Sequence, residues 1–155
     1  MQWLALPFHE LSRDQLYDLM QLRVDVFVVE QECAYPELDN KDRHTGVWHL
    51  LGYGGDGRLH AYLRALPAGL SYPQPSMGRV VVHPDYRGQG LGQLLVMQGL
   101  DLCQREWPNT DIKISAQSHL TRLYQEFGFK VTSPEYLDDG IPHVDMVLSL
   151  SSPTQ

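Results

Sequence analysis

Cysteine, positive charge and long apolar runs are all scarce in this chain, and each shortage removes a class of function. Cys33 and Cys103 are too few for a disulfide framework and show neither a Cys-x-x-Cys redox motif nor metal spacing. Both are expected to stay reduced, which suits a cytoplasmic protein. Twelve Lys and Arg face nineteen Asp and Glu, a formal charge of −7. A nucleic-acid partner is excluded on that balance, because phosphate neutralisation dominates such affinity. A cationic partner such as an amine is favoured instead. No stretch approaches the roughly 18 apolar residues of a membrane span, so no membrane role is expected. Residues 1–7 lack the basic and apolar regions of a signal peptide. Seven histidines form no His-x3-His or His-Glu-x-x-His pair, so no metal site is expected.

What is present is the patterning of one α/β domain over residues 1–150, with a polar, flexible tail at 151–155. Residues 2–6 read as a strand. Ser12 and Gln15 form a capping box ahead of a helix whose apolar stripe is Leu16, Leu19, Met20, Val24 and Phe27. Residues 29–45 lack periodicity and read as a long loop. Strands are expected at 47–53, 59–66, 77–83, 112–116, 129–132 and 143–150, with a hairpin at Gly54-Gly55-Asp56-Gly57. A helix over 89–107 is apolar nearly all round at its start and should be buried. A second, short helix carries Leu120, Leu123, Tyr124 and Phe127 before Gly128. The order implies a mixed sheet with helices on both faces.

The most informative stretch runs from the strand Val80-Val81-Val82 through His83-Pro84-Asp85-Tyr86-Arg87 to Gly88-Gln89-Gly90-Leu91-Gly92. Alternate glycines let backbone amides approach an anion, and the helix behind adds its positive end. A P-loop is ruled out because no Lys-Ser or Lys-Thr pair occurs. The dinucleotide fingerprint fails because Gln93 stands where its third glycine is required. Arg87-x-x-Gly90-x-Gly92 remains, and a phosphate-bearing cofactor is its natural ligand.

At this motif the chain resembles the GNAT superfamily of acetyl-CoA-dependent N-acyltransferases, in particular its ElaA-like group. Ile112-Lys113-Ile114-Ser115-Ala116-Gln117 is similar to the family's fifth strand, and Leu123-Tyr124-x-x-x-Gly128-Phe129 matches a family motif. The segments 28–39 and Asp139-Gly140-Ile141-Pro142-His143 resemble the ElaA-like group. The resemblance implies a GNAT fold with a mostly antiparallel sheet and acetyl-CoA as cosubstrate. Arg87 and the amides of Gly88, Gln89, Gly90, Leu91 and Gly92 would hold the diphosphate. The backbone of Val80 and Val82 would pair with the pantetheine arm. Gln117 stands where family members often carry asparagine, and its longer amide would reach the same arm. Tyr124 matches the residue that protonates the departing thiolate.

An amine attacks only when neutral, and deprotonating an alkyl ammonium at pH 7 costs about 4.6 kcal/mol. A base is therefore expected, with Glu30, Glu37, Asp39, His83 and His143 as candidates and Glu30 preferred. Taken singly, these groups read as solvated loop acids or strand histidines. Tyr124 alone reads as core, Gln117 as a helix cap, and Arg23 as a pin for the long loop. The expected activity is direct acetyl transfer to a small-molecule or peptidyl primary amine. Two alternatives stay open: an acyl-homoserine-lactone-synthase-like transferase, suggested by Arg23-x-x-x-Phe27, and a non-catalytic CoA-binding module. An uncovered sheet edge makes a homodimer an expectation.

Overall fold

A computed structural model describes residues 1–150. The flexible tail expected at 151–155 lies outside the described residues. Eight strands form two antiparallel four-stranded sheets. The first has the order β1 (Gln2–Pro7), β2 (Trp48–Tyr53), β3 (Leu59–Leu66), β4 (Ser76–Val82). In the second, β8 (Ile141–Leu148) lies between β5 (Ile112–Gln117) and β6 (Lys130–Val131), and also pairs β7 (Tyr136–Asp138). The sheets meet where the Lys113 amide donates to the Pro75 carbonyl at 3.0 Å. Beyond that bond β4 and β5 share no ladder, so a gap opens between them.

Strand β3 is buried along nearly its whole length, and its one charged residue, Arg64, is buried with it. Its Ala61, Leu63 and Ala65 face α2 (Leu91–Glu106) through a core shared with Leu95, Val96, Leu102 and Met146. Tyr62, on the opposite face, joins Leu51 and Val81 beneath α1 (Arg13–Arg23), against Leu19, Leu22, Val26 and Phe27. Helices therefore cover both faces, as the alternation of elements implied.

The capping box is formed: the Ser12 hydroxyl accepts from the Gln15 amide, and Gln15 accepts from the Ser12 amide. After Arg23 the helix does not stop but widens into π-helical turns over Val24–Glu30. The Gln31 and Cys33 amides close five-residue steps on Val26 and Val28 at 3.1 and 3.0 Å. Valines at 24, 26, 28 and 29 crowd the preceding turn and weaken tight winding. The extra residue per turn shifts the apolar phase. Val24, expected in the stripe, is exposed, and Val26 is buried in its place.

Three other expectations are corrected. Helix α2 starts at Leu91 rather than 89, because Gly90 sits at φ +76° outside the helical region. Met97, expected in a buried early turn, is exposed. Residues 136–138, expected in a loop, form β7, and a turn at Asp139-Gly140 makes a hairpin with β8. Short strands interrupted by acidic residues carry too little periodicity to show in sequence.

Candidate active site

The gap between β4 and β5 widens into a cleft of about 1130 Å³. At one end lie Arg87 and the glycine loop. Gly88 and Gly90 adopt φ of +79° and +76°, a region that an L side chain occupies only with strain. This bend delivers the chain to the start of α2, whose first amides have no intrahelical partner. Gly90, Leu91, Gly92 and Gln93 line the cleft there. The bend and the helix start thus offer backbone donors to an anion on an acidic protein.

Along the middle of the cleft runs β4. The His83 amide donates to His60 on β3 at 2.8 Å, so strand alternation turns the Val82 peptide groups toward the gap. Arg87 Nε reaches the Val82 carbonyl at 3.2 Å, which agrees with that orientation. A bulge follows: Tyr62 pairs Val81 while Arg64 pairs Gly78, so Leu63 alone opposes Arg79 and Val80. Arg79 takes φ +52° to achieve this. The bulge detaches Arg79 and Val80 from the β3 ladder and leaves their peptide groups available to a ligand. Nothing in the sequence marks Arg79 for this role, since a non-glycine residue occupies the left-handed position.

Tyr124 lies on α3 (Thr121–Gln125), only 4% exposed, edge-on to Phe129 at 5.7 Å between ring centres. It also lines the cleft. Burial holds its phenol well above its ordinary pKa, so it is a protonated donor at neutral pH. Gln117, at the end of β5, exchanges amide hydrogen bonds with Gln31 at 3.2 and 3.3 Å. It makes no side-chain cap for the following turn.

Glu30 requires a correction. It does not present a free carboxylate to the cleft but is held by Arg87 in a bidentate pair, at 2.7 and 2.9 Å. That bonding lowers its pKa, which makes it a weaker base. The guanidinium expected to grip a diphosphate is thus occupied by an acid of its own chain, and its third donor by Val82.

Glu37 and Asp39 are likewise committed. Arg23, fully buried, binds Glu37 at 2.6 Å and Asp42 at 2.7 Å. Arg79 binds Glu37 at 2.8 Å, and Tyr35 donates to the same carboxylate. Arg64 holds Asp39 at 2.6 Å and Asp42 at 3.0 Å. Burial pushes the Asp39 and Asp42 carboxyls up, but the arginines outweigh it and hold both below their ordinary range. His49 completes the cluster: it bonds the Asp42 carbonyl at 3.0 Å and the Tyr62 hydroxyl at 2.7 Å, and burial lowers its pKa. Arg23 therefore pins the long loop, as one reading of the sequence had it.

Of the remaining expected bases, His83 is outside the cleft wall, and its Nδ1 accepts from the Asp85 amide at 3.1 Å. His143 is in the wall, on β8 opposite Gln117. Cys33 and Cys103 are free and buried, and Cys33 bonds the Asp139 carbonyl at 3.4 Å. Among the described residues no cluster of His, Cys, Asp and Glu could hold a metal, and no helix is long and apolar enough to cross a membrane.

Residues 24–150 match the model of the acetyltransferase (GNAT) domain. Protein ElaA of Escherichia coli is 41% identical over 145 residues, covering 94% of both chains. Its crystal structure superposes with a TM-score of 0.89 at 40% identity, over 96% of this chain and 100% of that one. An acyl-CoA N-acyltransferase from Pseudomonas aeruginosa gives a TM-score of 0.90 at 40% identity, over 96% and 99%.

Proposed function

Since this chain belongs to the GNAT acetyltransferase family, in its ElaA-like group, we propose that it moves an acetyl group from acetyl-CoA to a primary amine by direct attack. The observation that carries this reading is a single cleft joining the amides at the start of α2, the detached peptide groups of β4 and the buried Tyr124 phenol. The glycine loop and Arg87 suit a diphosphate. The gap-facing groups of Val82 and the bulge suit an amide-bearing arm. Tyr124 suits a leaving thiolate.

Each feature addresses one part of the reaction. Amides in a fixed bend bind an anion without a matching net charge on the protein. A bulge peptide N–H directed at the thioester carbonyl would stabilise the charge that develops on its oxygen. A thiol of pKa near 8.5 gains only about 2 kcal/mol from protonation at pH 7, so the proton donor is helpful rather than indispensable. Tyr124→Phe should then keep CoA affinity and lose at most about thirtyfold in kcat. Stopped-flow thiol release checks this, and an unchanged kcat would remove Tyr124 from the mechanism.

The reading is tested by titrating the intact protein with acetyl-CoA in a calorimeter, then following thiol release over a panel of amines. Binding with turnover on at least one amine is expected. Binding without turnover on any amine would favour a CoA-binding module, and no heat at all would end both readings.

A further inference from the structure

Resting on the transfer reading above, we propose that His143 is the base that takes the proton from the acceptor amine, through its Nε2 atom. The other candidate bases are engaged elsewhere. Glu30 sits against Arg87 at the glycine-loop end of the cleft, where the diphosphate would lie, while Glu37 is held by Arg23 and Arg79, and Asp39 by Arg64. A carboxylate stabilised in its ionised form by a guanidinium is a weaker acceptor for a proton.

His143 is arranged differently. Its Nδ1 lies 2.7 Å from the Ile141 carbonyl. A carbonyl only accepts, so Nδ1 carries the hydrogen and Nε2 is left with its lone pair. The tautomer is thereby fixed by the backbone of its own strand. The ring is fixed too, stacked on Tyr136 at 6.2 Å between centres and 23° between planes. The Tyr136 hydroxyl is in turn anchored to Asp145 at 2.7 Å and to Ser115. An imidazole held at its Nδ1 edge and on one face keeps Nε2 as its exchangeable atom.

Position follows from strand alternation. On β8, Val144, Met146 and Leu148 enter the core, while His143 and Asp145 occupy the other face. On β5, Ile114 and Ala116 enter the core while Ser115 and Gln117 share the His143 face. Tyr124 approaches from α3 and packs with the core side, yet lines the same cleft. The base and the proton donor thus border one cavity from opposite faces of the second sheet. Addition of the amine to the planar thioester carbon and departure of sulfur from the resulting tetrahedral adduct are successive events, so a base and a separate proton donor can each serve one of them.

The proton count closes. The ammonium gives one proton to Nε2, and the freed lone pair forms the C–N bond as the C–S bond breaks. Tyr124 gives its proton to the thiolate. The second proton that nitrogen sheds on becoming an amide restores Tyr124, and Nε2 returns its own to water.

Other titratable groups share this part of the molecule: Tyr136 and Asp138 on β7, Asp139 in the turn, Asp145 on β8, Lys113 on β5, His119 just after β5, Tyr72, and Glu30 and Cys33 beside Gln31. Tyr35, Arg79 and Tyr124 lie elsewhere on the cleft wall. The test must therefore separate His143 from them. His143→Asn keeps a donor for Ile141 and lacks Nε2. With acetyl-CoA and the amine giving the fastest thiol release, kcat should fall about a hundredfold or more, the effect typical of a lost general base. The calorimetric Kd for acetyl-CoA should stay within twofold, and the acid-side rise of kcat/KM with pH should disappear. Added imidazole should restore turnover to His143→Ala, which a purely structural histidine would not permit. If the Asn variant fails to bind acetyl-CoA, His143→Gln carries the same measurements. A variant with kcat within threefold of the parent, or with the same acid limb, overturns the assignment while leaving acyl transfer intact. Absence of turnover by the parent on every amine overturns both.

Discussion

The protein uses the same chemical pair, guanidinium and carboxylate, in two places for opposite ends. Under the long loop, Arg23, Glu37 and Asp42 are 0%, 4% and 5% exposed and locked into one network with Arg64, Arg79 and Asp39. Beside the glycine loop, Arg87 and Glu30 are 44% and 41% exposed and, among the described residues, bound to each other and to Val82. Removing one partner from a buried network strands a charge in a poor solvent, whereas an exposed pair exchanges with water or another anion at small cost. The first cluster is scaffold. The second is a placeholder that an incoming diphosphate can displace.

The sharpest way to break the comparison is Arg23→Met, which leaves Glu37 and Asp42 buried with less compensation. Urea unfolding should show a loss of about 3–5 kcal/mol, and a loss below 1 kcal/mol would mean that the loop relaxes around the gap.

Acid attacks the same cluster. The unfolded chain binds more protons than the folded one at Asp39, Asp42 and His49, because folding lowers all three pKa values. Stability should therefore decline as pH falls below about 6.5, through His49, and more steeply below about 4, through the aspartates, by roughly 1.4 kcal/mol per unit of displacement. Thermal melts across this range check the sign. A melting temperature that rises on acidification would contradict it.

Arg87→Ala should do the reverse of Arg23→Met. Folding stability should change by less than about 1 kcal/mol. CoA affinity should drop about tenfold to a hundredfold, in line with the roughly 1.5–3 kcal/mol of a charged hydrogen bond. The smallest effect belongs to Glu30→Gln, which removes the competitor for Arg87. CoA binding should tighten by about twofold to fivefold, the worth of an exposed pair, and the gain should shrink as salt is added. Weaker CoA binding by this variant would make Glu30 a positioning residue for Arg87 instead.

The contrast also explains what the sequence could reveal. Strand β3, the capping box at Ser12 and the glycine loop were legible because each depends on residues close together in the chain. That Arg87 and Tyr124 would share one cleft was legible through motifs of fixed spacing. The ion-pair network was not, since Arg23, Arg64 and Arg79 lie on separate elements and meet only after the loop folds over them. The pairing of Glu30 was hidden for the same reason: its partner is 57 positions away. The bulge at Arg79 and the tautomer of His143 depend on register and on a single carbonyl, neither of which periodicity encodes.

The lone bond between Lys113 and Pro75 has one more consequence. By stopping there, β4 and β5 each turn an edge without a strand partner toward the gap, so the domain carries two sheet margins in its interior. Such margins on a surface invite strangers to pair and aggregate. Here α2 and the widened end of α1 stand on either side, so adhesiveness that would be a hazard outside is kept, on the proposed reading, for a slender polyamide thread.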